Sequence, residues 1–245
     1  MVAGSQCVVV DPGDAAPVMK FLAERKLTLS TILITHHHAD HIGGVDELLS
    51  HWPVPVYGPA AENIACVTHA LSEGDRVSLP AFVDEPFRVI EVPGHTSGHI
   101  AYVSGDILFC GDTLFAAGCG RLFEGTAAQL HHSLSRLAAL PAHTRVYCTH
   151  EYTLSNLRFA LAVDADNSDL NERIFVEQER RARGVPTLPS NIALERATNP
   201  FLRCGTAGVT RSAQQHSPSS LDAAASSHEV NVFAVLRQWK NDFRG

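Results

Sequence analysis

The sequence predicts a layered mixed α/β domain followed by a smaller helical one. Three features carry that reading. An apolar run, a helical pattern and a second apolar run open the chain, as a parallel strand pair joined by a right-handed crossover requires. Short alternating runs between residues 76 and 110 have the period of antiparallel strands. Beyond Tyr152 strand texture disappears and helical periodicity takes over.

Taken in order, Cys7-Val8-Val9-Val10 is a strand stopped by the turn residues Asp11-Pro12-Gly13-Asp14. Residues 15–27 set Val18, Phe21 and Leu22 at helical spacing, and Ile32-Leu33-Ile34 is the second strand. A helix is expected at 45–51, where Val45, Leu48 and Leu49 share a face, and a short strand at 53–57. Val77 and Leu79, then Phe87, Val89 and Val92, alternate as antiparallel strands do. Residues 100–103 and 107–110 form a hairpin through Ser104-Gly105-Asp106. Over 126–140, Leu130, Leu134 and Leu137 stay in helical register until Pro141 closes the pattern, and 145–148 is the last strand. Helices at 154–163, 170–183 and 229–243 follow, which places a boundary near 153 and divides the chain into domains 1–152 and 153–245. The Ala/Ser-rich stretch at 217–227 reads as a connection too short to be a disordered region.

A chain of 245 residues builds one large core or two smaller ones without disulfide staples. Its net charge of −7, with Lys and Arg scattered, lacks the basic footprint that holds a phosphate backbone, so no nucleic-acid partner is expected. No apolar run approaches the roughly 20 residues that span a bilayer. The first residues lack a charged segment followed by an apolar one, so export is not expected. The six cysteines contain no CxxC pair and read as small buried hydrophobes in a reducing compartment. A cytoplasmic monomer without a membrane partner is the expectation.

The chemistry concentrates in Thr35-His36-His37-His38-Ala39-Asp40-His41, where His36, His38, Asp40 and His41 offer nitrogen and oxygen donors directly after a strand. Imidazole and carboxylate are ligand types that zinc and its divalent neighbours accept. Later strands end in the same chemistry: 87–92 leads to His95, 107–110 to Asp112, and 145–148 to His150. If those ends meet at one edge of the layer, the set exceeds what one tetrahedral zinc takes. It suits two ions bridged by Asp112, one on His36, His38 and His95, the other on Asp40, His41 and His150. His37, between two ligands, is expected to point away from them.

The THxHxDH run, with the later Pro93-Gly94-His95-Thr96 and Gly111-Asp112-Thr113 segments and a strand-end histidine, resembles the metallo-β-lactamase superfamily. Within it, six longer segments resemble the hydroxyacylglutathione hydrolases, the glyoxalase II family. They are Val10-Asp11-Pro12-Gly13, His95-Thr96-Ser97-Gly98-His99, Gly111-Asp112-Thr113-Leu114-Phe115, Gly118-Cys119-Gly120-Arg121, Glu124-Gly125-Thr126 and Cys148-Thr149-His150-Glu151-Tyr152-Thr153. The resemblance spans nearly the whole chain. It implies an αββα sandwich with a binuclear site on its edge and a C-terminal helical domain that helps hold glutathione. It also implies two divalent ions per chain, zinc foremost, with iron or manganese as alternatives. The implied reaction is hydrolysis of S-D-lactoylglutathione and related 2-hydroxyacylglutathiones to a 2-hydroxy acid and glutathione, which detoxifies methylglyoxal. A metal-activated hydroxide is the implied nucleophile, oriented by Asp40 and Asp112. Carried over by position, Arg121, Tyr152, Arg237 and Lys240 contact the glutathione part. The last helix is expected to keep Arg237 and Lys240 on the flank of a core stripe of Val232, Leu236, Trp239 and Phe243.

Two departures from the family pattern stand out. Phe123 occupies a place where some members carry tyrosine, so weaker or rearranged substrate binding is expected. Only nine residues precede Val10, where the family usually has further residues including its first strands, so an edge of one sheet is expected to be missing. The rival reading from the same superfamily is a persulfide dioxygenase with one iron on His36 or His38, His95 and Asp112. The retained second set of ligands and the C-terminal cations argue for the hydrolase.

Overall fold

The computed structural model describes residues 1–79, 81–218 and 227–244. Most of the 217–227 connection therefore lies outside the described residues. The chain forms two compact units, one of residues 1–91 and 97–111, the other of 92–96 and 112–245.

In the first unit, β1 (Val2–Ala3), β2 (Gln6–Val10), β3 (Thr28–Leu33), β4 (Val56–Pro59) and β5 (His69–Leu71) form one sheet in chain order. The β1–β2 pair is antiparallel and the other three pairs are parallel. A second, antiparallel sheet holds β6 (Arg76–Val77), β7 (Phe87–Glu91), β8 (Ile100–Ser104) and β9 (Ile107–Gly111). Three helices accompany them: α1 (Ala15–Arg25), α2 (Ala39–Ile42) and α3 (Val45–His51). Alternation along β3 separates two cores. Ile32 and Ile34 pack with Ala15 and Leu22 of α1 and Val45 and Leu48 of α3, while Leu33 faces Phe87, Val89, Ile100 and Tyr102 of the second sheet. A helix layer on a sheet on a sheet follows directly from that period of two.

One polar group crosses the sheet-to-sheet core. The Tyr102 hydroxyl donates to the Ile34 carbonyl at 2.7 Å and reaches the Tyr57 carbonyl at 3.3 Å. Burial, with the Asp11 charge second, pushes its pKa well above the ordinary phenol value, so it remains a donor. Helix α1 starts where the Asp14 carboxylate accepts the Ala16 N–H, and ends where Lys26 adopts a left-handed conformation.

The second unit begins with the ribbon β10 (Leu114–Phe115) and β11 (Gly118–Cys119), then α4 (Ala127–Ala138), β12 (Arg145–Cys148), α5 (Thr153–Val163) and α6 (Ser168–Ala182). It continues through β13 (Ser190–Asn191), α7 (Ile192–Thr198), α8 (Ala207–His216) and α9 (His228–Asp242). Helix α4 opens on a reciprocal cap between Thr126 and Gln129. Strand texture does not end at Tyr152: β13 pairs antiparallel with β12, Val146 opposite Ser190. Two residues are too few for alternation to register in the sequence. Phe159, Phe201, Phe233, Trp239 and Phe243 form a ring cluster that joins α5 to α9. Among the described residues no helix is long and apolar enough to cross a membrane.

Candidate metal centre

The sequence-predicted ligands fall into two groups, one in each unit. In the first unit, β3 delivers Thr35 and His36, and the chain turns immediately into α2, with His38 as its N-cap. The turn is packed against the loop after β2. A Cβ on Gly13 would lie 2.0 Å from the Asp40 carbonyl oxygen, so only glycine permits this approach. His36 Nε2 and His38 Nδ1 lie 3.1 Å apart, and His41 Nε2 lies 3.8 Å from Asp40 Oδ2. His36 and His41 are buried, whereas the Asp40 side chain is 62% exposed. As expected, His37 turns elsewhere, its Nδ1 2.9 Å from Glu62 Oε2.

Asp11 organises this group. Its carboxylate accepts the Thr35 N–H and the Thr35 hydroxyl, each at 2.7 Å, and lies 3.1 Å from His41 Nδ1. The third contact makes Nδ1 the protonated nitrogen of His41 and leaves Nε2 with its lone pair for a metal, the usual outer support of a ligand histidine. In the sequence Asp11 is legible only as a turn residue and as part of the Val10-Asp11-Pro12-Gly13 segment. Its positive φ of 48° carried no sequence signal except that Asp tolerates that region better than most residues. His99, fully buried, stacks on His36 with ring centroids 4.6 Å apart.

In the second unit, Asp112 stands between two histidines. His95 Nε2 lies 3.5 Å from Asp112 Oδ2, and His150 Nε2 lies 3.6 Å from Asp112 Oδ1. These separations exceed a hydrogen bond. They suit two donors that share an ion, since bonds of about 2.0–2.1 Å in tetrahedral geometry put ligand atoms roughly 3.3 Å apart. One carboxylate facing two imidazoles with different oxygens has the donor arrangement of a bridge between two ions. The Arg121 carbonyl, 2.9 Å from His95 Nδ1, accepts its proton and keeps His95 Nε2 available.

The ribbon between Asp112 and Arg121 is tightly folded. Gly120 N–H donates to the Thr113 carbonyl, and a Cβ on Gly120 would lie 1.9 Å from the Asp112 carbonyl oxygen. At its tip Ala117 has φ 56°, a left-handed conformation that costs a non-glycine residue about 1–2 kcal/mol.

The residues expected to contact substrate divide in character. Tyr152, half exposed, stacks on His150 with centroids 5.1 Å apart, and Arg121 is exposed. Phe123 is 62% exposed and meets His95 edge-on at 5.2 Å. The flank position expected for Arg237 is corrected: it is 4% exposed, and its guanidinium donates to the carbonyls of Cys119 at 3.0 Å and Gly120 at 3.3 Å. It also lies over the Phe201 ring. The planar fork finds carbonyls at and just past the end of β11 that helical periodicity could not anticipate. Lys240 is half-buried, donates to the Ser155 carbonyl at 3.2 Å and lies over the Phe159 ring. Burial first, then the positive charges of Arg237, Arg158 and Arg121, bring its pKa down from the ordinary lysine value to about 8. The cysteines are free and, apart from Cys66, buried. Burial pushes the Cys148 thiol up to about 12, so it stays protonated and inert at neutral pH.

Imidazoles and a carboxylate gathered at strand ends are a donor set that could hold metal ions, and they stand on a metallo-β-lactamase fold. Residues 1–150 match the family model described as Metallo-beta-lactamase superfamily, and residues 151–243 match Hydroxyacylglutathione hydrolase C-terminus. A Pseudomonas aeruginosa (strain LESB58) protein named hydroxyacylglutathione hydrolase is 55% identical over 97% of this chain and 91% of its own length. One of the same name from Nitrosomonas eutropha is 50% identical over 97% of this chain and 91% of its own. The solved structure of ETHE1 from Myxococcus xanthus superposes with a TM-score of 0.55, at 30% identity, over 84% of this chain and 92% of that one. The chain belongs to the hydroxyacylglutathione hydrolase family.

Proposed function

We propose that the protein hydrolyses glutathione thioesters of 2-hydroxy acids, S-D-lactoylglutathione foremost, at a site holding two divalent ions, zinc by preference. His36, His38 and His95 would hold one ion, Asp40, His41 and His150 the other, with Asp112 shared. The observation that carries this reading is the Asp112 carboxylate, facing His95 with one oxygen and His150 with the other. A single-iron site has no use for that second pairing, which weighs against the persulfide dioxygenase reading. The names of the relatives support the substrate class. Residues 1–152 would act as the catalytic domain and 153–245 as the glutathione-holding one, in a cytoplasmic monomer.

Ions bound there would supply Lewis acidity, lowering a water pKa toward about 7 and polarising the thioester carbonyl. The chain's own contribution is orientation and proton control. Asp11 and the Arg121 carbonyl hold His41 and His95 in the tautomers that leave Nε2 for ligation. Asp40 and Asp112 would orient the attacking water. The departing glutathione thiolate, with a conjugate-acid pKa of about 8.5, needs no general acid. Arg121, Lys240 and Tyr152 would take the tripeptide's carboxylates and backbone. Arg237 joins them through its positive charge and by pinning the segment that leads to Arg121.

The test is to count metals per purified chain and follow thioester loss before and after chelation. Two ions and a loss of turnover that zinc restores are expected. Undiminished hydrolysis with fewer than two tightly held ions contradicts the reading.

A pH dependence follows from Lys240. A lysine whose pKa is lowered to about 8 is charged below that pH and loses its proton as pH rises through it. The KM for an anionic glutathione thioester is therefore expected to climb between pH 7 and 9. Lys240→Met should show a KM about tenfold higher at pH 7, a change of about 1.4 kcal/mol, and no inflection near 8. Measuring KM against pH for both proteins checks this, and an inflection that persists in the variant assigns it elsewhere.

A further inference from the structure

We propose that Glu195, with Asn199 beside it, is a positioning residue for the ligands Asp112 and His95, acting through the β10–β11 ribbon. This rests on the metal site proposed above. Asp112 and Thr113 lead into the ribbon, and Gly120 and Arg121 lead out of it. Its base thus carries both the bridging carboxylate and the carbonyl that sets the His95 tautomer. At its tip, Ala117 N–H donates to Glu195 Oε2 at 2.8 Å. Asn199 Nδ2 donates to the Gly118 carbonyl at 2.9 Å and reaches the Phe115 carbonyl at 3.3 Å and Glu195 Oε2 at 3.0 Å.

Glu195 and Asn199 are both fully buried. A buried carboxylate is costly unless its lone pairs are matched, and an apolar side chain would join the same helices at lower cost. Here every oxygen is matched. Oε1 accepts from Arg173 at 2.6 Å and from the Ser190 hydroxyl, while Oε2 accepts from Ala117 and Asn199. The output of this cluster is the hydrogen bond to Ala117, whose left-handed backbone needs holding. No slack separates tip from base, because the close approach at Gly120 locks the returning strand onto Asp112. A shift at the tip therefore moves the bridging carboxylate and the Arg121 carbonyl together.

The test uses the full chain loaded with zinc. In Glu195→Gln the amide offers one fewer acceptor. The variant is expected to fold, to bind one of its two ions at least tenfold more weakly in chelator competition, and to lose at least tenfold in kcat with KM within twofold. Asn199→Ala, which leaves the Arg173 pair intact, should move the same two quantities by at least fivefold and carries the test if Glu195→Gln does not fold. Asn171→Ala is the control. It removes an amide that donates to the Ala165 carbonyl at 3.1 Å, with no bond to α7 or to the ribbon, and should lower thermal stability while leaving metal affinity and kcat unchanged. Wild-type metal affinity and kcat per folded molecule in both ribbon variants would overturn the proposal, as would an equal loss in the control. A wild-type chain that binds two ions yet hydrolyses no thioester removes the functional reading instead. The metal-affinity difference between variants is readable in either case.

Discussion

Asp112→Ala is expected to lower thioester hydrolysis by more than about 10³-fold and to release at least one of the two ions. The physical reason is the double pairing: one oxygen faces His95 and the other faces His150. If Asp112 is shared by two ions as proposed, removing the carboxylate deletes a ligand from both and the negative charge between two dications, a defect larger than the loss of one transition-state donor, itself worth about 10²–10³. Asp112→Asn keeps the shape and one acceptor, and should fall between wild type and the alanine variant in metal content. Metal analysis together with kcat decides the matter. An alanine variant with two tight ions and turnover within tenfold of wild type would remove Asp112 from the bridge.

Replacement of Asp11 by asparagine should weaken the ion bound through His41 by about 10–100-fold without contact between residue 11 and the metal. Asparagine tolerates the positive φ at this position, so backbone strain is not what the variant measures. Its carbonyl oxygen can still accept the Thr35 N–H. The amide NH₂ then faces His41 Nδ1 and donates to it, which moves the ring proton to Nε2 and blocks ligation. Asp11→Ala should cost roughly 3 kcal/mol or more of stability as well, since a buried charged acceptor serving three donors is lost. Metal affinity by competition and denaturant unfolding read the two effects separately. Unchanged affinity in Asp11→Asn would show that the His41 tautomer is set by another group.

Elements with a long, clean period were legible in the sequence. Val45–His51 begins and ends where its pattern does, and the hairpin Ile100–Ser104 with Ile107–Gly111 follows its turn residues. Shorter elements were not. The four residues of α2, the β10–β11 ribbon and β13 contain too few positions for any period to register, and distant partners hold them in place. Helix α7 escaped for a different reason: alongside Ile192 it buries Glu195 and Thr198, so its inward face does not read as apolar. Arg237 was misplaced because a helical wheel assigns a cation to the surface, and only a carbonyl pair 118 and 117 residues earlier in the chain makes its burial affordable.

The candidate site divides in the same way. His36, His38, Asp40, His41, His95, Asp112 and His150 stand out in the sequence as candidate donors, because metal-ligating side chains are chemically restricted and these segments follow apolar runs. The supporting atoms were not recognisable, since they are backbone carbonyls and carboxylates whose role exists only through a partner. Asp11 acts on Thr35 and His41, the Arg121 carbonyl on His95, and Glu195 on Ala117. By itself the sequence determined which donors are available and which family they belong to, since donor chemistry is a property of the residue. Tertiary structure alone decided which nitrogen His41 and His95 present and how the Asp112 segment is held, because tautomer and orientation are set by groups far away along the chain.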